Sequence, residues 1–194
     1  GTVNVANVAP LFDIGEPGAD GGNPSSRSYV YETADLVQAV GVAITGGGIA
    51  TGGGASAHTE QATINLKGGT IDGNVLGGGL ATLGGKAAVE NVEITVAGAE
   101  VKGDIYAGGA AGSEQNQLFD ASYQSPSSTV GKAEVRLDSG TVTGDLYAGG
   151  YVYQDATDAV ATVKDSTVII SSTDVFQGKR IDGNGAGSVV TDEE

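Results

Sequence analysis

A rare heptapeptide recurs in the sequence, as GNVLGGG at 73–79, GDIYAGG at 103–109 and GDLYAGG at 144–150. Its second position is Asn74, Asp104 and Asp145 in the three copies. Carboxylate and amide oxygens are the ligands that Ca²⁺ prefers, so a calcium ion bridging these stacked side chains is one hypothesis for the position. The other hypothesis is that each side chain caps the backbone of its own turn, as Asx residues often do.

A second acidic segment, DIGEPGADGG at 13–22, is a further calcium candidate because it places three acids among glycines. Neither segment follows an EF-hand loop or a nonapeptide calcium repeat. No cofactor other than calcium is predicted. His58 is the sole histidine and cysteine is absent, so the sequence cannot build a zinc site from these residue types.

The fourth position of the heptapeptide is Tyr106 in one copy and Tyr147 in the next, with Leu76 in the weaker copy. Strict alternation places Ile105 in the core and Tyr106 on the surface, where a tyrosine row could bind glycans by stacking on sugar rings. The simpler interpretation is a side-chain ladder that shields one sheet. A bulge at the corner would reverse the parity and place the tyrosines in the core.

These residues belong to a longer repeat of strand, glycine turn and strand. The three copies read ATINLKGGTIDGNVLGGG at 62–79, NVEITVAGAEVKGDIYAGG at 91–109 and KAEVRLDSGTVTGDLYAGG at 132–150. Each has alternating aliphatic residues before and after a glycine-containing turn, which is the pattern of β-strands. The core candidates are Ile64, Leu66, Ile71, Val75, Ile94, Val96, Val101, Ile105, Val135, Leu137, Val142 and Leu146.

The copies are 30 residues apart and then 41 residues apart. The polar segment 113–128 accounts for the excess and is predicted to be a loop inserted between two repeats. Weaker echoes occur at 42–54 and at 161–170, and the latter matches 87–96 position by position. The sequence therefore predicts an N-terminal strand and linker at 1–35, a repeat domain at 36–183 and an acidic tail at 184–194.

The fold class predicted is all-β, a single parallel β-helix with degenerate end coils, because a unit of two or three short strands has too little core to stand alone. Glycine, at 34 of 194 residues, disfavours helices and suits sharp corners where φ is positive. An antiparallel β-sandwich is the alternative, since similar short strands could also build it.

The overall charge is strongly acidic, with 24 acids, nine bases and a formal net charge of −15. This balance argues against binding nucleic acid or an anionic membrane surface. No run of about 18 apolar residues predicts a membrane-spanning helix. A chain beginning GTVNV without methionine is expected of a mature form trimmed of a leader, or of an edited chain, and the former favours an extracellular or cell-surface location.

The repeats resemble those of large bacterial surface proteins, including autotransporter passenger domains and adhesin-like β-helices. The resemblance is carried by the pattern G-T-V-x-G-D-x-Y-A-G-G and covers roughly residues 62–150. It implies export, a parallel β-helix and a role in adhesion or structure at the cell surface.

Three functional hypotheses follow. The first is a structural or adhesive surface protein whose partners are copies of itself or a host or matrix surface. In this hypothesis an N-terminal strand that contains Val3, Val5 and Val8 joins a neighbouring subunit, because an unpaired strand edge accepts another strand. The alternative is that this strand caps the first repeat of its own chain. The second is a carbohydrate-binding module that uses Tyr106 and Tyr147. A glycan-cleaving enzyme is third, and no enzyme is predicted because the repeat itself explains the recurring Asp positions.

Overall fold

The computed structural model describes residues 2–5, 41–112, 125–153 and 159–183. These residues form strands and connections with no helix, so the chain is all-β where it is described, as predicted. No helix among them could therefore cross a membrane. The strands are β1 (Thr2–Val5), β2 (Val42–Thr45), β3 (Ile49–Thr51), β4 (Ser56–Leu66), β5 (Thr70–Ile71), β6 (Asn74–Leu76), β7 (Leu80–Thr82), β8 (Lys86–Val101), β9 (Ile105–Tyr106), β10 (Ala110–Ala111), β11 (Ser127–Val142), β12 (Leu146–Tyr147), β13 (Tyr151–Val152), β14 (Val160–Ile170) and β15 (Ile181–Asp182).

The strands form three parallel sheets, and each repeat between β2 and β14 contributes a strand to all three. Sheet A has the order β1-β4-β8-β11-β14, with the short β5 also paired to β8. Sheet B has the order β15-β12-β9-β6-β2, and sheet C has the order β13-β10-β7-β3. Between β2 and β14 the chain visits the sheets in the fixed order B, C, A.

Equivalent residues of successive repeats are direct neighbours within a sheet. Ile105 pairs with Val75 on one side and with Leu146 on the other, always in parallel. The prediction that Ile105 and Leu146 are adjacent is therefore confirmed. The antiparallel β-sandwich is wrong, because every pairing among the described strands is parallel.

The aliphatic residues predicted for the core are completely buried in columns that run across the repeats. Ile64, Ile94 and Val135 form one column, and each is 0% exposed. In the long strands of sheet A, two consecutive exposed residues interrupt the alternation, for example Glu90 and Asn91 in β8. The match between 161–170 and 87–96 is also confirmed, because both segments pair with the same residues of β11.

Three apolar clusters fill the spaces between the sheets. The largest lies between sheets A and B and contains Ile105. An alanine-rich cluster lies between sheets A and C, and a third, which contains Tyr106, lies between sheets B and C. Consecutive residues Ile105 and Tyr106 are therefore both buried, because both faces of sheet B are covered.

The glycines serve two different purposes. Gly69 lies directly before β5, and Gly98 and Gly140 lie where the register between β8 and β11 shifts within sheet A. Their φ angles are +79°, +112° and +94°, which residues with side chains rarely adopt. Gly78 lies in the glycine cluster between β6 and β7 and has no positive φ, so a left-handed backbone is not the reason for glycine at this position. A Cβ on Gly78 would lie only 2.8 Å from the Cα of Gly109 in the next repeat, so glycine is needed there for close backbone approach.

Parts of the predicted domain plan lie outside the described residues. These are Val8, the linker, residues 36–40, most of the inserted loop (113–124) and the tail 184–194. The strand β11 begins at Ser127, so residues 127–128 of the predicted insertion belong to sheet A. Val3 and Val5 lie in β1, which pairs in parallel with β4 of its own chain, as the alternative of an intramolecular cap predicts.

Candidate functional site

The recurring Asx side chains form a ladder of hydrogen bonds between repeats. Oδ1 of Asn74 accepts a hydrogen bond from the backbone N–H of Asp104 at 2.6 Å. Oδ1 of Asp104 accepts one from the N–H of Asp145 at 2.7 Å. Each side chain thus caps the amide of the equivalent residue in the following repeat. The expectation that it caps its own turn identified the right chemistry and the wrong partner.

The ladder ends in the last described repeat. Oδ1 of Asp145 accepts hydrogen bonds from the backbone N–H groups of Lys179 and Arg180, at 2.9 and 3.0 Å. Arg180 stands in the position that Asp145 occupies one repeat earlier, because Ile181 pairs with Leu146. The side chain at this position can no longer accept a bond from a further repeat. Arg180 therefore marks the end of the ladder.

The oxygens of Asp104 are already engaged with the protein. Its Oδ1 accepts the amide of Asp145, and its Oδ2 accepts a hydrogen bond from the Tyr106 hydroxyl at 3.2 Å. Within 41–112, 125–153 and 159–183, no group of three or more His, Cys, Asp or Glu side chains is placed to hold a metal ion. The acidic segment 13–22 lies outside these residues, and calcium binding there remains a prediction.

The two tyrosines of the heptapeptide are stacked directly on each other. The ring centroids of Tyr106 and Tyr147 are 4.7 Å apart, and the ring planes differ by 7°. This distance matches the spacing of neighbouring strands in a sheet, so the stack follows from the repeat. The ring of Tyr151 from sheet C meets Tyr106 edge-on at 5.9 Å. Arg180 closes the row, with its guanidinium carbon 5.9 Å from the Tyr147 centroid.

The tyrosine row is buried, so the solvent exposure that strict alternation predicts is wrong, whereas the stacked rings agree with the simpler interpretation of a side-chain ladder. Tyr106 is 3% exposed and Tyr147 is 8% exposed. Alternation correctly placed Tyr106 on the opposite face of sheet B from Ile105, but sheet C covers that face. A sugar ring needs an open aromatic face for stacking, and these rings stack on each other instead.

Burial also changes the ionisation of this cluster. It raises the pKa of Tyr106 far above the usual value of 10.0, and the negative charge of Asp104 adds to the effect. The pKa of Tyr147 is raised by burial and by the charges of Asp104 and Asp145, against which Arg180 acts in the opposite direction. Burial raises the pKa of Tyr151. The cluster therefore stays neutral while a free tyrosine would ionise.

Glycine begins the heptapeptide because the backbones of successive repeats nearly touch at that point. A Cβ on Gly103 would lie 2.7 Å from the backbone nitrogen of Asn74 and closer still to the carbonyl oxygen of Gly73. Each part of the heptapeptide thus helps one repeat to pack on the next. Glycine permits contact, Asp caps the next repeat, the aliphatic residue fills one core, tyrosine fills another, and the last glycines permit contact again.

Sequence reasoning missed several polar residues that join the repeats. The buried hydroxyl of Ser128 donates a hydrogen bond to the Gly79 carbonyl at 2.9 Å, and that of Thr45 donates one to the Gly78 carbonyl at 2.7 Å. Nothing in the repeat pattern marks these residues, because they are not repeated. His58 is exposed and lies in the strand β4, with its Nε2 3.4 Å from Oε1 of Glu90.

Comparison of the chain with protein-family models, with curated proteins and with solved structures found no match.

Proposed function

We propose that the three sheets form one continuous parallel β-helix, with the chain making one turn for each repeat. The constant order of the sheets along the chain supports this proposal, as does the parallel register of equivalent residues. Repeats of this kind interact only with their neighbours and give a long, stiff body. In the last described repeat, Arg180 and Asp182 occupy the positions that Asp145 and Tyr147 hold one repeat earlier. Such a departure from the repeat pattern is expected of an end repeat.

The function that the geometry supports best is that of a structural or adhesive protein outside the cell, which assembles with copies of itself. The observation that carries this proposal is the ladder from Asn74 through Asp104 to Asp145. The polar residues that the sequence repeats are used to hold one repeat onto the next. A repeated catalytic or glycan-binding residue would instead present its polar atoms at an open surface.

Assembly through the N-terminal strand is part of the proposal. The strand β1 pairs with the end of sheet A, so the sequence of this segment is suited to that sheet. A strand that adds to an exposed sheet edge forms main-chain hydrogen bonds with it, and a head-to-tail contact that does not close gives a filament.

Electron microscopy of the full chain over a range of concentrations tests assembly. We expect filaments at high concentration, and a folded monomer when residues 1–12 are deleted. A matched variant that lacks only residues 14–22 keeps the strand and should still form filaments. Full-length protein that stays monomeric at every concentration would overturn the assembly proposal, and filaments in the variant lacking residues 1–12 would overturn the role of the strand.

A further inference from the structure

Among the described residues, the apolar columns are incomplete at one end. The strand β14 is the last in sheet A, and no described strand pairs with its outer edge. Its Val168 and Ile170 continue columns whose earlier members are fully buried, but they are only partly buried themselves. In sheet B, Ile181 is 51% exposed, whereas Leu146 beside it is 0% exposed.

The outer edge of β14 also has backbone groups with no partner among the described strands. The N–H of Ser171 donates to the Leu137 carbonyl in β11. Successive amides of a strand point to opposite sides, so the N–H groups of Ile170 and Val168 point away from β11. An edge of this kind is a template for another strand.

The other end of sheet A is occupied by a strand of matching sequence. In β1 the residues Thr2–Val5 read TVNV, and they pair in register with residues 63–66 of β4, which read TINL. The register passes from Thr2 through Thr63, Glu93 and Glu134 to Thr167. Thr2 and Thr167 therefore occupy the same row at opposite ends of sheet A.

The order of the sheets also fits a second copy placed beyond the last repeat. The described chain begins with a sheet A strand, β1, and ends with a sheet B strand, β15. The sheets follow one another along the chain in the cyclic order A, B, C, so one sheet C strand would follow β15 before the cycle returns to sheet A. A second copy placed after that strand would begin with its own β1 in sheet A. Its β1 then lies beside β14.

One pair of opposite charges lies along the stacking direction of sheet A, beside the acidic Asp165. Glu60 stands in the first repeat, and Lys164 stands at the equivalent position of the last. Both residues are exposed. In a head-to-tail arrangement the lysine of one copy lies about 10 Å from the glutamate of the next, two strand spacings away, where attraction is weakened by salt but not abolished.

We infer that the outer edge of β14 is the docking site for β1 of a second copy, in the register that pairs Thr2 with Thr167 and Val3 with Val168. The contact extends sheet A in parallel from one molecule into the next, while β1 keeps its pairing with its own β4. The inference rests on the assembly proposed above and specifies which edges meet and in which register.

Cysteine cross-linking tests the register, because the natural chain has no cysteine. In the double variant Thr2→Cys/Thr167→Cys, the paired Cα atoms of two copies are about 5 Å apart, within disulfide range. In the control Thr2→Cys/Ile169→Cys they are about 8 Å apart, which is too far. The two positions lie at opposite ends of one molecule, so any disulfide joins different chains.

We expect the first variant to give a ladder of covalent oligomers after mild oxidation, at least about tenfold more than the control. Equal cross-linking in both variants would overturn the register. Filaments that form without cross-links would overturn this docking edge while leaving assembly intact, and the absence of filaments would overturn both. Cross-links that appear only when residues 184–194 are deleted would show that these residues cover the edge, and would also overturn the inference.

Discussion

The carboxylate of Asp104 accepts a hydrogen bond from the backbone amide of Asp145, 41 residues later in the chain, at 2.7 Å. The bond connects two repeats that also share backbone hydrogen bonds at the same level, including that from the N–H of Ile105 to the carbonyl of Asp145 at 2.9 Å. Side chain and main chain therefore fix the same register. A slip of one residue would break both sets of bonds and move Ile105 out of the core.

Two substitutions of Asp104 distinguish the contribution of its hydrogen-bond acceptors from the contribution of its negative charge. Asp104→Ala leaves the amide of Asp145 and the hydroxyl of Tyr106 without this acceptor, so we expect the free energy of unfolding to fall by about 1–3 kcal/mol. Asp104→Asn keeps an acceptor, as Asn74 does in the preceding repeat, and should lose less than half as much. Urea denaturation measures both. Equal losses would mean that the charge, and not the hydrogen bond, matters.

The tyrosine cluster predicts a loss of stability at high pH. Because the pKa of Tyr106 is raised in the folded protein, the unfolded chain releases this proton first, near pH 10. The stabilisation is complete below pH 10 and declines as the pH rises above it, by up to about 1.4 kcal/mol per pH unit for this group. Unfolding by urea between pH 8 and 11 should show this decline. Tyr106→Phe should have a shallower decline, and an identical slope in both proteins would contradict the assignment.

The two kinds of glycine environment predict opposite results for the same substitution. Gly78→Ala places a methyl group against the backbone of Gly109, so we expect a loss of at least about 2 kcal/mol in the free energy of unfolding. Nothing lies within 4 Å of a Cβ on Gly68, and its φ is not positive. Gly68→Ala should therefore be neutral or stabilise by up to about 1 kcal/mol. Thermal and urea unfolding compare the two, and similar losses would refute the close-approach argument.

The repeat could be predicted from the sequence because each buried column depends on residues that recur at one position. Ile64, Ile94 and Val135 identify one another by alternation alone. The environment of Tyr106 could not be predicted in this way, because alternation assigns a residue to one face of a strand without saying whether another sheet covers that face. The direction of the Asp104 hydrogen bond was hidden for a similar reason, since its partner is 41 residues away.

Chelation gives a further test of the Asx ladder. Both carboxylate oxygens of Asp104 accept hydrogen bonds from protein groups, so the fold supplies the role that calcium was suggested to fill. We expect the melting temperature of Asp104→Asn to respond to excess calcium and to EDTA in the same way as that of the natural protein. A response that the substitution abolishes would place a calcium ion on the ladder, because a ligand that binds only the folded state raises its stability.

Truncation of the tyrosines distinguishes a core cluster from a glycan-binding surface. Tyr106 is stacked between repeats and touches Tyr147 and Tyr151. Tyr106→Ala leaves a cavity between sheets B and C, so we expect the free energy of unfolding to fall by about 3–5 kcal/mol. Tyr106→Phe keeps the stacked ring and loses only the hydrogen bond to Asp104, and should cost about 1 kcal/mol. Urea unfolding measures stability, and a glycan array with the same variants measures binding.

A Tyr106→Ala protein of normal stability that had lost glycan binding would mean that the ring faces solvent. The stacked and buried geometry predicts instead that Tyr106→Ala loses stability. Tyr106→Phe, which keeps the aromatic ring, should retain most of it.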